Sequence, residues 1–100
     1  MKEYINRLNK AFDNKVRLGI MSVLAANEFL DFNRLKELLD LTDGNLASHL
    51  KALEKESYIA VEKSFVDRKP RTTYSMTNSG KTAFEDHINA LEAIIKNQIQ

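Results

Sequence analysis

Gly44, Asn45, Ser48, Lys51 and Lys55 recur at steps of one, three, three and four residues along TDGNLASHLKALEKESYI, residues 42–59. With successive residues about 100° apart and Leu46 set toward a core, Leu50 and Leu53 fall within about 40° of it. Gly44, Ser48, Lys51 and Lys55 then lie near the opposite pole, with Asn45 and Ala52 beside them. Short side chains there allow close approach of the backbone. Asparagine and serine pair with base edges or phosphates, and lysines bind phosphate oxygens, so this face suits a helix that reads the groove of a duplex. Thr42 is the expected N-cap, and Asp43, which stabilises the helix dipole but repels phosphate, is assigned to helix stability. His49 projects near the border of the apolar side, where a packing role and a phosphate-donor role both remain open. The competing reading of the whole face is an ordinary solvated surface.

A second concentration of charge lies downstream. Arg68, Lys69 and Arg71, with Lys63 on the preceding strand, put four cations at one end of a hairpin, against Asp67 as the single acid of the turn. Cations so placed lie along a nucleic-acid backbone or reach into a minor groove. An isolated charged tip is equally a solvated turn, so the order of elements around it decides between the two.

Those elements follow from hydrophobic spacing. Ile5, Leu8 and Phe12, with Tyr4 alongside, predict a helix within residues 1–12 that is too short to stand without a docking surface. Val16, Ile20, Val23 and Leu24, widened by Leu18 and Met21, predict a central helix from Asn14 to about Asn27. Asp31 is the expected N-cap of a two-turn helix carrying Leu35, Leu38 and Leu39, and only Asp40 and Leu41 separate it from Thr42. That is helix-turn-helix spacing. From Ile59 the period becomes two: Ile59, Val61 and Phe65 share a parity that Lys63 interrupts. VDRKPR is expected to be the turn and TTYSM the returning strand. From Thr77 a long helix carries Phe84, Ile88, Leu91 and Ile95 at steps of four, three and four, flanked by Ala83, Ala90 and Ile94.

Composition narrows the function classes. One hundred residues with 43% hydrophobic and 29% charged side chains suit a single soluble domain with a modest core. The expected division is an N-terminal helix over 1–12, a helical core and first wing strand over 14–65, a wing tip and second strand over 66–76, and a dimerisation helix over 77–100. No apolar run reaches transmembrane length and the first ten residues lack a signal-peptide core, so a cytoplasmic protein without membrane contact is expected. Absence of cysteine excludes disulfides and thiolate metal sites, and His49 and His87 lie on different segments, so no metal or cofactor is expected. There is no phosphate-binding glycine loop or nucleophile motif, which argues against an enzyme. A formal net charge of +1 gives no global pull toward polyanions, so the placement of charge carries the argument.

In sequence, helix, short helix, tight turn, recognition-like helix, hairpin and long helix form the winged-helix layout, with the cations of the hairpin at the wing. LTDGNLASHLKALEKESYIAVEKSFVDRKPRTTYSMTNSGKTAF, residues 41–84, resembles the core of the small MarR/ArsR-like winged-helix transcriptional regulators, and a looser match extends back to NKVRLGIMSVL. The resemblance implies a mainly α fold with a small β-hairpin: a three-helix core, a wing and a long C-terminal dimerisation helix. It further implies a DNA-binding dimer that represses or otherwise regulates transcription. Carried over by position, it makes Thr42, Gly44, Asn45, Ser48 and His49 candidate DNA contacts, followed by Lys51 and Lys55, with Lys63, Arg68, Lys69 and Arg71 on the wing. Two positions depart from the pattern, Ser57 and Asp67, where such proteins commonly have glycine.

The apolar seam of the last helix continues for about four turns beyond Phe84 and must find a partner. Tyr4, Ile5, Leu8, Phe12, Ile88, Leu91, Ile94 and Ile95 are the expected homodimer interface, the alternative being a last helix folded back over its own core. A symmetric dimer would read a palindromic site in double-stranded DNA. A protein-interaction module without DNA affinity is the competing function. A small-molecule effector is compatible with the resemblance but nothing in the residues indicates one.

Overall fold

The computed structural model describes residues 1–97, and its three core helices begin where side-chain caps set them. Asn14 Oδ1 accepts from the Val16 and Arg17 amides and starts α2, Lys15–Ala25. Asp31 Oδ1 accepts from Arg34 N at 2.7 Å and starts α3, Phe32–Leu39. Thr42 Oγ1 accepts from Asn45 N at 3.2 Å and starts α4, Asp43–Lys55. Each cap satisfies amides that helix geometry leaves unpaired, worth about 1 kcal/mol apiece. Ile20, Met21 and Leu24 of α2, Leu35 of α3, and Leu46, Leu50 and Leu53 of α4 meet in one buried cluster. The three leucines of α4 that spacing assigned to the core are therefore the ones that fix its orientation.

The sheet differs from the expected two-strand hairpin. It has three antiparallel strands in the order β1 (Leu30–Asp31), β3 (Lys69–Met76), β2 (Ile59–Val66). Leu30 and Asp31 pair with Tyr74 and Thr73, so the residue that caps α3 also anchors the base of the wing. The expected six-residue turn is reduced to Asp67 and Arg68, both left-handed at φ 53 and 67, between paired Val66 and Lys69. Two consecutive positive φ values make a two-residue hairpin loop of the kind whose twist matches the strands. Pro70, expected in the turn, lies within β3 opposite Phe65. Next to a two-residue loop such a pair exchanges no backbone hydrogen bonds, so proline's missing N–H costs the ladder nothing. Phe65 does not join the core as its parity suggested. It is 77% exposed, because the hairpin extends beyond the helices it packs on.

The exit of α4 follows the same local logic. Ser57 N donates to Glu54 O and Tyr58 N to Leu53 O, closing the helix in a Schellman arrangement with Ser57 at φ 63. A serine there carries the Cβ penalty that glycine avoids. Ser57→Gly is expected to raise stability by about 1 kcal/mol, read as a higher denaturant midpoint at unchanged slope. No gain would mean that the Thr77 hydroxyl bond to Ser57 O, at 2.7 Å, already fixes this backbone at no cost.

The termini are tied together by polar groups that spacing does not reveal. The expected helix over 1–12 is broken: α1 covers Lys2–Asn6, and a single 3-10 turn covers Lys10–Phe12. Asn9 makes the break. Its side chain accepts from Ala11 N and donates to the Tyr58 hydroxyl, while its amide donates to His87 Nδ1 at 2.9 Å. Phe12, expected at a subunit interface, is 2% exposed and sits against the rings of Tyr58, Phe84 and His87 at 5.3–5.7 Å. It belongs to the chain's own core and is withdrawn from the interface. The last helix, α5, runs Asn78–Asn97, and the residues beyond it that were assigned to the same helix, 98–100, lie outside those described. Thr77 Oγ1 accepts from Gly80 N, and Gly80 packs so closely on Tyr58 that an added Cβ would lie 2.0 Å from its carbonyl oxygen. The close approach explains glycine in the TNSGK stretch. α1 packs on α5, and the molecule extends 58 Å along one axis against 25 and 21 Å across the others.

Candidate nucleic-acid interface

With Leu46, Leu50 and Leu53 buried, α4 turns Gly44, Asn45, Ser48, Lys51 and Lys55 outward, all of them exposed. Thr42 is exposed as well, although its hydroxyl is engaged as the cap. A Cβ built on Gly44 meets nothing within 4 Å. Packing within the chain therefore gives no reason for glycine at this position. Further along the same face Ser48, Lys51, Ala52, Glu54 and Lys55 border a shallow depression. The turn that presents this helix is held by left-handed Asp40, φ 51, and by Leu41 N donating to Lys36 O. Asp43 faces Lys36 at 2.7 Å, so the one carboxylate at the start of the helix is neutralised by α3, although so exposed a pair adds little stability.

His49 lies on the flank of α4 that faces α2. It is partly buried, and its Nδ1 accepts from Arg17 Nε at 3.1 Å. Burial first, and the Arg17 charge second, push its pKa below the usual 6.5. The ring is therefore neutral near pH 7, with its proton on Nε2. This combines the two roles left open for it: a packed histidine that orients an arginine and keeps one donor free. Arg17 itself was not among the expected site residues. Its terminal nitrogens have no carboxylate within ion-pair distance among the described residues. One signal was available: Lys15 and Arg17 put cations in the first turn of α2, where the helix dipole disfavours them and no acid accompanies them.

The hairpin does not hold its four cations as one patch. Strand alternation puts Lys63 on the face that carries Ile59 and Val61, whereas Lys69 and Arg71, paired with Val66 and Ser64, lie on the other. Arg68 is in the turn between them. Arg71 is drawn toward the base, its Nε 3.7 Å from Asp31 Oδ2 and its guanidinium 5.7 Å from the Phe29 ring centroid. It braces the wing against β1 more than it extends the tip. At the other side of the sheet α4 packs on β2, and partly buried Tyr74 has its pKa raised there, by burial first and then by Glu54 of α4.

Of the expected interface residues, Ile5, Ile88, Leu91 and Ile95 are exposed, while Tyr4, Leu8 and Ile94 are partly buried where α1 meets α5. His87 faces inward between them, accepting from Asn9 N; burial lowers its pKa, and Asp13 opposes that shift. Among the described residues no three His, Cys, Asp or Glu side chains gather where a metal ion could be held, and no helix is long and apolar enough to cross a membrane.

Residues 16–95 match the family described as winged helix DNA-binding domain. An uncharacterised protein of Methanocaldococcus jannaschii is 40% identical over 88 residues, which is 88% of this chain and 96% of that one. Among solved structures, a transcriptional regulator homologue from Pyrococcus horikoshii superposes with a TM-score of 0.89 at 33% identity, covering 98% of each chain. A MarR-family transcriptional regulator from Silicibacter pomeroyi shares the fold, with a TM-score of 0.66 at 17% identity, over 100% of this chain and 69% of that one. The family and the fold are those of transcriptional regulators, not of enzymes.

Proposed function

Because this chain belongs to the winged helix DNA-binding domain family, we propose that it binds double-stranded DNA sequence-specifically as a homodimer and represses transcription by occupying a palindromic operator. In this reading α4 enters the major groove. Asn45 and Ser48 address base edges, Lys51 and Lys55 address phosphates, and Gly44 lets the backbone come close. His49 holds Arg17 for a phosphate on the α2 side of the helix. Lys63 and Arg68 engage the backbone or minor groove from the wing side, with Lys69 on the hairpin's other face and Arg71 securing the wing's base. The observation that carries the reading is Gly44: a glycine with open space around it, at the start of an outward face with cations on both flanks.

Selection of bound sequences from a random duplex pool tests it. The expected product is a two-fold symmetric site with half-sites about 34 Å apart, one helical turn. With Lys51, Lys55 and Arg17 of both protomers on phosphates, about six contacts before any from the wing, log affinity should fall against log salt with a slope of about −5 or steeper. A pool that yields no common sequence, or binding indifferent to salt, would leave the interaction-module reading in its place.

A further inference from the structure

Phe65 is the most exposed large hydrophobic side chain among the described residues, at 77%, and Val66 beside it is 44% exposed. Both stand at the end of the hairpin, where routine strand ends carry polar residues. Register fixes their surroundings. Phe65 pairs with Pro70 on the face that nearer the core carries Ile59, Tyr74 and Met76 inward. Beyond the core Lys63 and Thr72 interrupt this face, and past them the Phe65–Pro70 pair stands apolar in solvent, on the side of the sheet on which α4 packs. Cations flank it: Lys63 two residues back on the same face and Arg68 in the turn, with Lys69 on the opposite face across from Val66.

We propose that Phe65 is an apolar wedge that enters the minor groove, unstacks a base step and bends the bound duplex; the proposal rests on the DNA-binding reading above and states how the wing would engage the duplex. A minor groove is a cleft between two rows of phosphates with base-pair edges at its floor. An aromatic ring rimmed by cations matches that order of charges, since the rim meets phosphate while the ring meets bases. A second copy of the same tip does not, because it would bring Lys63, Arg68 and Lys69 against their own kind. The tip is also stiff enough to act as a wedge. Its loop is only two residues, Pro70 restricts the strand opposite, and the Asp31–Arg71 pair braces the base.

The test uses the full chain and the duplex recovered from a random pool by the wild-type protein, with dyes at both ends and 2-aminopurine at the step facing the wing. Wild type is expected to shorten the end-to-end distance and to brighten the 2-aminopurine. Phe65→Ala is expected to bind about tenfold more weakly, as loss of one aromatic–base stack implies, with the salt slope unchanged and both signals lost. Phe65→Trp should restore both. A wild-type complex that is straight, or a Phe65→Ala complex that bends as wild type does, overturns the wedge while leaving DNA binding intact. Altered subunit association of Phe65→Ala in sedimentation also overturns it, by making the tip a protein contact. Failure of wild type to retain any duplex removes the DNA-binding reading itself, and the wedge with it.

Discussion

Replacing Leu91 and Ile95 together with glutamate is expected to turn a dimer into a monomer and to lower affinity for a duplex carrying both half-sites by at least about 100-fold. Ile88, Leu91 and Ile95 follow one another at steps of three and four along α5, all exposed, with Ile95 at 56% and Ile5 of the neighbouring helix at 52%. These four side chains are about half exposed, so burying them on both copies of a symmetric pair provides on the order of 6 to 12 kcal/mol before the cost of association is deducted. The opposite side of α5 already has its partners: His87 and Ala90 are buried against the chain's own N-terminal segment and core. Glutamates on the exposed side therefore leave the fold alone, while across a two-fold axis they would face their own copies. Sedimentation equilibrium reports the mass, and fluorescence anisotropy on full-site and half-site duplexes reports the affinity. A double variant that remains dimeric moves the interface elsewhere. A monomer that binds the full site as tightly as wild type means that pairing plays no part in recognition.

What could be read from the sequence was local in origin. Asn14, Asp31 and Thr42 mark helix starts because capping is an interaction over two or three residues, and Leu46, Leu50 and Leu53 mark a buried stripe because helix period alone puts them together. Ser57 stood out only through the resemblance, as a position where glycine is common, and its backbone is left-handed where α4 ends. What could not be read depends on distant partners. The helix expected over 1–12 breaks at Asn9 because its amide finds His87, 78 residues away. β1 is two residues long and carries no alternation; it exists because Leu30 and Asp31 meet β3. The turn was overestimated for a different reason: Asp67 and Arg68 adopt a conformation usually signalled by glycine or asparagine, and a proline two residues on looks like a loop residue. On the candidate site, α4's outward face was legible from spacing, whereas the Arg17–His49 bond joins two helices across 32 residues. Lys63 and Arg71 counted as neighbours in the chain but stand on opposite faces of the hairpin, a separation that strand parity contains once the register is known.

Gly44→Glu is expected to stabilise the protein and abolish most of its DNA affinity at once, two effects of opposite sign from one side chain. In the free chain the position is open, exposed and in the first turn of α4. A better helix former without a clash, whose carboxylate also favours the positive end of the helix, should add about 0.5 to 1 kcal/mol. Denaturant midpoints measure that gain. Against a duplex the same carboxylate meets phosphate and base-edge acceptors, and its length holds the helix out of the groove, so affinity should fall by at least about 100-fold, near 3 kcal/mol. Gly44→Ala separates bulk from charge: its stability gain should be comparable to the helix-propensity part alone, and its binding loss smaller than that of glutamate. The pairing of signs discriminates because a solvated helix face, the competing account of these residues, predicts only the first effect. If Gly44→Glu melts later and still binds the selected duplex as wild type does, this face of α4 does not meet DNA, and glycine at its start has no explanation in recognition.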